Sequence, residues 1–148
     1  SAFAQTTAER YFADTRWRKT LQILTSAYAE RRDAMIAALE EFFPDEAHWT
    51  VPAGGFFVWV EMPSFLDLKS ILAEAVERGV TYVPGDAFYP EGRGRNCMRL
   101  GFCYAEPAKI REGIERLAEV LEDRLELYRA FAAAGVLSAA PGTTDERG

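Results

Sequence analysis

From Arg16 to Phe43 the apolar residues Trp17, Leu21, Leu24, Tyr28, Met35, Leu39 and Phe42 recur at spacings of three, four and seven, the stripe of one long amphipathic helix. At ~1.5 Å per residue such a helix runs about 40 Å, more than a domain of 148 residues lines with its own core. A helix longer than its core commonly reaches across to another domain. Residues 16–43 are therefore expected to be a connecting helix, and 1–15, where the helical pattern is weaker, the end of a preceding large domain. The chain starts at Ser1 rather than at a methionine, and a segment of something longer is expected.

Pro44 stops the helix because it has no N–H to donate. His48 to Val51, the turn Pro52-Ala53-Gly54-Gly55 and Phe56 to Met62 predict two strands joined at glycines. Asp67 is placed to cap a helix carrying Leu68, Ile71, Leu72, Ala75 and Val76, with Gly79 where a left-handed residue closes it. A strand from Val80 to Val83 ends at Pro84-Gly85, and Asp86 to Arg95 is expected to be a loop. Asn96 to Tyr104 alternates as a strand, and Glu106-Pro107 opens a last helix with Ile110, Ile114, Leu117, Leu121 and Leu125 on its inner face. Beyond 131 the periodicity fades, and 132–148 is expected to be a partly disordered tail. The fold class is α/β in a mixed, α+β-like form, with a small mixed sheet covered by helices on one face.

The formal net charge of −6 argues against a nucleic-acid partner, whose phosphates require clustered Lys and Arg. No stretch approaches the ~20 apolar residues of a membrane span, and the amino terminus lacks the pattern of a signal peptide. Cys97 and Cys103, six residues apart in one strand, would lie roughly 20 Å apart at ~3.3 Å per residue, too far for a disulfide. With His48 as the only histidine, no zinc-like spacing is present. Two reduced cysteines in a cytoplasmic protein are expected.

Side chains alternate along Asn96–Tyr104, so Met98, Leu100, Phe102 and Tyr104 share one face and Cys97, Arg99, Gly101 and Cys103 the other. The first face is a core. Arg99 then stands among small neighbours, with Gly101 leaving room for a ligand or another backbone, and its planar fork suits two parallel bonds to a carboxylate. An ordinary ion pair with a nearby acid on a solvated face satisfies the same alternation.

Arg31-Arg32-Asp33-Ala34-Met35, Pro52-Ala53-Gly54-Gly55-Phe56-Phe57-Val58-Trp59-Val60, Val83-Pro84-Gly85-Asp86-Ala87-Phe88-Tyr89 and Asn96-Cys97-Met98-Arg99-Leu100-Gly101-Phe102 follow one another in that order. Together they resemble the C-terminal small domain of class I/II pyridoxal-phosphate-dependent aminotransferases, of fold type I. The branch of 2-aminoadipate and multi-substrate aminotransferases is closest in character, and the likeness runs from about Gln5 to Leu125.

The resemblance makes 44–131 the small domain and implies that the intact parent transfers an amino group from an amino acid to a 2-oxo acid through pyridoxal phosphate, as a homodimer with a shared active site. It implies that Arg99 binds the substrate α-carboxylate. Asn96 belongs to the same block and equally suits a turn at a strand start. Phe88 and Tyr89 fall on a loop that the family turns toward the active-site mouth, where aromatic residues also serve simply to cover a core. Gly54 and Gly55 fit the family's glycine pair and equally a bare hairpin turn. Lys19, Lys69 and Lys109 are the only lysines, and none sits in the family's Schiff-base context. The cofactor is thus expected to be held upstream, and this segment to have no catalytic residue of its own. The same blocks occur in winged-helix transcription regulators with an aminotransferase-like sensing domain, which stand as the alternative.

Overall fold

The computed structural model describes residues 1–136. Helix α1 spans Ala2–Ala13 and α2 spans Arg16–Phe42. They are followed by β1 (His48–Trp49), β2 (Phe57–Glu61), α3 (Leu68–Glu77), β3 (Val83–Pro84), a 3-10 turn over Gly85–Phe88, β4 (Cys97–Gly101) and α4 (Pro107–Ala133). A small sheet with helices against it forms as expected, but the sheet is antiparallel throughout rather than mixed. Its strands lie in the order β1-β2-β4-β3, and every pairing is antiparallel.

The core lies between one face of this sheet and the helices. Val58 and Val60 of β2 and Met98 and Leu100 of β4 point inward and meet Leu39 of α2, Leu68 and Ile71 of α3, and Ile114, Leu117 and Leu121 of α4. Complete burial of a branched aliphatic side chain stabilises by ~1.5–3 kcal/mol, so this two-layer contact dominates the domain's stability. In α2 only Met35, Ala38 and Leu39 are buried. Leu21, Ile23 and Leu24, two turns and more toward the amino terminus, stand open to solvent, and α1 buries nothing.

Several expected boundaries shift for identifiable reasons. Val80 was expected in a strand, yet its N–H closes the end of α3 on the Ala75 carbonyl at 2.9 Å, with Gly79 left-handed at φ 79°, so pairing begins only at Val83. The 48–51 and 56–62 segments pair as a hairpin over a shorter ladder, His48 opposite Glu61 and Trp49 opposite Val60. Part of the expected 86–95 loop winds into the 3-10 turn. Tyr104 does not join the core face: β4 ends at Gly101, the chain bends toward α4, and Tyr104 is 93% exposed. At the far end α4 continues through Ala133 and is closed by Gly135 at φ 69°. Residues 137–148 of the expected tail lie outside the described residues.

Asp67 caps α3 as its position in the sequence suggests, its carboxylate accepting from the N–H groups of Lys69 (3.1 Å) and Ser70 (3.4 Å). It also takes the guanidinium of Arg95 from the far loop, while the N–H of Leu68 bonds the Arg95 carbonyl at 2.8 Å. That Arg95 bond, more than any other contact, holds the Asp67 carboxyl below its ordinary range. The folded pKa is then below the unfolded one of about 3.9; the stabilisation from the charge is complete above that value and is lost as pH falls through the folded pKa. Asp67→Ala should lower the unfolding free energy by about 1 kcal/mol, and Asp67→Asn, which keeps the cap without the charge, by less. Urea unfolding at neutral pH should resolve the wild type from Asp67→Asn, and the gap should narrow as pH falls below the unfolded pKa and through the lower folded one.

Candidate functional site

The outer face of the sheet carries the polar chemistry. Arg99 occupies the middle of β4, paired across the ladder with Trp59 on one side and Val83 on the other. Its guanidinium lies between two rings, with its central carbon 4.0 Å from the centre of Phe57 and 4.8 Å from that of Phe88. Phe57 is on the same face as Trp59 because they are two residues apart in β2. Opposite Phe57 stands Gly101, where an added Cβ would sit 3.5 Å from the Phe57 ring in ordinary contact. Phe88 arrives from the 3-10 turn and rests edge-on against Trp59 at 5.5 Å, and Tyr89 contacts the same indole edge-on at 6.1 Å.

Arg99 differs from the arginines around it. Arg31, Arg32, Arg78, Arg95, Arg111, Arg116, Arg124 and Arg129 all pair with carboxylates, whereas no described carboxylate pairs with Arg99. Its Nε is buried with no hydrogen-bond partner among the described residues, a state that costs ~1–3 kcal/mol. Stacking on two aromatic faces returns roughly 0.5–2 kcal/mol per ring. With both faces covered, the outer edge of the fork, Nη1 and Nη2, is what remains for a ligand. A carboxylate approaching in that plane accepts two parallel hydrogen bonds.

Asn96 is elsewhere engaged. Its Nδ2 donates to the Met62 carbonyl at 2.6 Å and its carbonyl accepts from Met62 N–H at 2.8 Å, closing the end of the β2–β4 ladder. Phe88 lies directly on Arg99, and Tyr89 is one contact removed. Phe57 and Trp59 were not singled out from the sequence, although a signal was present: with Val58 and Val60 assigned to a core, alternation leaves two aromatic residues on the open face of β2. The paired Arg31 and Arg32 serve structure. Arg31 ties α2 to the carbonyl of Cys103 at 2.9 Å and to Glu106 at 2.7 Å, and Arg32 reaches the Pro52 carbonyl at 3.4 Å while pairing with Asp33. Gly54 and Gly55 line an apolar groove of about 450 Å3 between α2 and the 53–56 loop.

Neither cysteine is a prepared nucleophile. Burial, reinforced by Glu61, pushes the Cys97 thiol above its ordinary pKa, and Cys103 is a free thiol on the surface. The lysines do not form a site for pyridoxal phosphate. A Schiff base needs an unprotonated amine, yet Lys69 donates to Asp86 at 2.9 Å and that bond raises its pKa. Lys109 is held by Glu112 at 2.7 Å, and Lys19 is exposed on α2. The residues of this chain therefore do not fit the cofactor as its anchoring site.

No family model matches the chain. It is 45% identical over 125 residues to aromatic-amino-acid aminotransferase 1 of Thermococcus litoralis, a match spanning 84% of this chain and 30% of that protein. Its fold superposes on the crystal structure of a multiple substrate aminotransferase from Thermococcus profundus with a TM-score of 0.78 and 40% identity, over 84% of this chain and 31% of the other. It is also 32% identical over 119 residues to an HTH-type transcriptional regulator of Bacillus subtilis, YisV, across 80% of this chain and 24% of that one. The chain thus spans about 30% of the length of the aminotransferases it resembles.

Incubated with pyridoxal phosphate and reduced with borohydride, the 148-residue chain is expected to show no aldimine band above that of free lysine and no label concentrated on Lys19, Lys69 or Lys109. Peptide mapping checks this, and stoichiometric label on any of the three would contradict it.

Proposed function

The chain belongs to the aminotransferases of fold type I, and from that premise we propose that it is the C-terminal small domain of an enzyme that moves an amino group from an amino acid to a 2-oxo acid. Pyridoxal phosphate supplies the electron sink for such transfers, and the groups that anchor it are placed in a preceding large domain. Residues 1–15 are taken as the end of that domain, 16–43 as the connecting helix and 44–131 as the small domain. The solvent-exposed Leu21, Ile23 and Leu24 support this division, since apolar side chains on the unburied half of a helix suit a second packing surface.

The observation that carries the proposal is Arg99, held between two rings and without a carboxylate partner among the described residues. Its in-plane fork is offered to the α-carboxylate common to the amino donor and the 2-oxo acid. Two parallel bonds fix the carboxylate plane, and with it the direction of the bonds at the substrate Cα, which reduces the orientational entropy lost on the way to reaction. Phe88 covers one face of the fork. Asn96 stands behind the site, holding the strand end from which Arg99 projects. A cytoplasmic location and a homodimer with a shared active site complete the proposal; both follow the family. No helix among the described residues is long and apolar enough to cross a membrane.

A second reading rests on the likeness to YisV: the same fork would hold the carboxylate of an effector in a sensing domain. Aminotransferase relatives at higher identity favour the enzyme. The upstream reading frame distinguishes the two, since the regulator requires a basic winged-helix domain.

A hydrogen bond to a charged group contributes ~1.5–3 kcal/mol net, and ~1.4 kcal/mol is tenfold in rate or binding. In the complete enzyme Arg99→Ala should therefore lower kcat/KM at least about tenfold and toward a hundredfold, for amino donor and 2-oxo acid alike. Arg99→Lys should recover part of this, because an ammonium offers charge without the planar fork. The cofactor's absorption spectrum and its pH titration should stay as in the wild type. Values of kcat/KM within about twofold of wild type for both substrates would remove Arg99 from the carboxylate site.

A further inference from the structure

Phe88 lies at the end of a short 3-10 turn on an exposed loop, and such a turn does not by itself hold a ring over a guanidinium. The residues around it do. Tyr89 places its ring directly against the backbone of Gly94: an added Cβ at Gly94 would fall 2.5 and 2.7 Å from two atoms of that ring. Gly94 is also left-handed, at φ 76°, a conformation that glycine adopts without strain. At the other end of the turn, a Cβ on Gly85 would fall 2.5 Å from the Gly94 carbonyl oxygen and 2.6 Å from the Cys97 Cβ. The Gly94 carbonyl in turn accepts from the N–H of Cys97, the first residue of β4, at 3.0 Å. Both ends of the turn are thus packed onto one glycine next to the strand that carries Arg99. The edge of Tyr89 rests on Trp59, which is the cross-strand partner of Arg99.

We propose that Tyr89, seated on Gly94, is a positioning residue that holds Phe88 over Arg99 and so fixes the plane in which the arginine meets a carboxylate. The inference rests on the carboxylate role of Arg99. It goes beyond that role by assigning the orientation of the fork to residues that need not touch the substrate. Without the Tyr89–Gly94 seat the turn is free to lift, one face of the guanidinium opens, and the side chain regains rotamers that it must lose again on binding. Among the described residues no hydrogen bond from the Tyr89 hydroxyl takes part, so the ring alone is required.

The test reads the arginine directly. In the full 148-residue chain, the Arg99 Nε–H lies buried between two ring faces, so its NMR resonance should be shifted upfield and protected from solvent exchange. Its loss in Arg99→Lys assigns it. Tyr89→Phe should leave the resonance in place. Tyr89→Ala should return it toward the ordinary arginine position and speed its exchange by about tenfold or more, with the β2 and β4 amides unmoved. Gly94→Ala should do the same, and if that variant fails to fold, the Tyr89 pair still decides.

A resonance unchanged in Tyr89→Ala, or equally disturbed in Tyr89→Phe, overturns the proposal. In the complete enzyme Tyr89→Ala should raise KM for both substrates by about threefold or more, and Tyr89→Phe should restore it. A displaced resonance with KM unchanged would show that the seat is only structural. The spectrum is recorded without any carboxylate, so the positioning role and the carboxylate role of Arg99 fail on separate measurements.

Discussion

The β2–β4 ladder, with Val58 opposite Leu100, Trp59 opposite Arg99 and Val60 opposite Met98, is the constraint from which both halves of the molecule follow. In this register the aliphatic residues of both strands point toward the helices, and Phe57, Trp59 and Arg99 point away from them. A slip of β4 by one residue would exchange its faces, burying the guanidinium and exposing Met98 and Leu100. Core and site are therefore two sides of one pairing, and the hydrophobic free energy of the inner face holds the register that assembles the outer one.

The outer face carries a local cost. Among the described residues Arg99 has a buried Nε without a partner and no counter-ion, while Arg31, Arg32, Arg111, Arg116, Arg124 and Arg129 on the helices are paired. Such an imbalance is tolerated where the surroundings impose it, and here Phe57 from β2 and Phe88 from the 3-10 turn impose it from either side. The glycines of the 85–94 segment allow the close approach. A charged fork that lies against two rings and meets no carboxylate among the described residues is prepared for a flat anion.

The sequence blocks that resemble the aminotransferases divide accordingly by physical task. Arg31 and Arg32 stitch α2 to the start of α4 and to the hairpin loop through backbone carbonyls and nearby acids. Asn96 fastens the strand end through Met62. Phe57 and Trp59, the Gly85–Tyr89 turn and Arg99 make the aromatic and cationic surface. Only this last group meets at one place, so the blocks are spread along the chain while the chemistry is concentrated.

Local patterning was enough to read the long α2, the Asp67 cap, the Pro107 start of α4 and the inward faces of β2 and β4 from the residues alone, because helical and strand periodicity and capping depend on neighbours a few positions away. The same alternation put Arg99 on the outer face but left open whether an acid would meet it. Tyr104 was misplaced, and Val80 was assigned to a strand, because the bend after Phe102 and the closing bond from Val80 to Ala75 answer to the helices that follow and precede them. What only the tertiary structure decided is the company Arg99 keeps. Phe57 lies 42 residues before it and Phe88 11 before it, and their meeting follows from strand register and from the packing of a turn onto Gly94, neither of which is written in the spacing of residues along the chain.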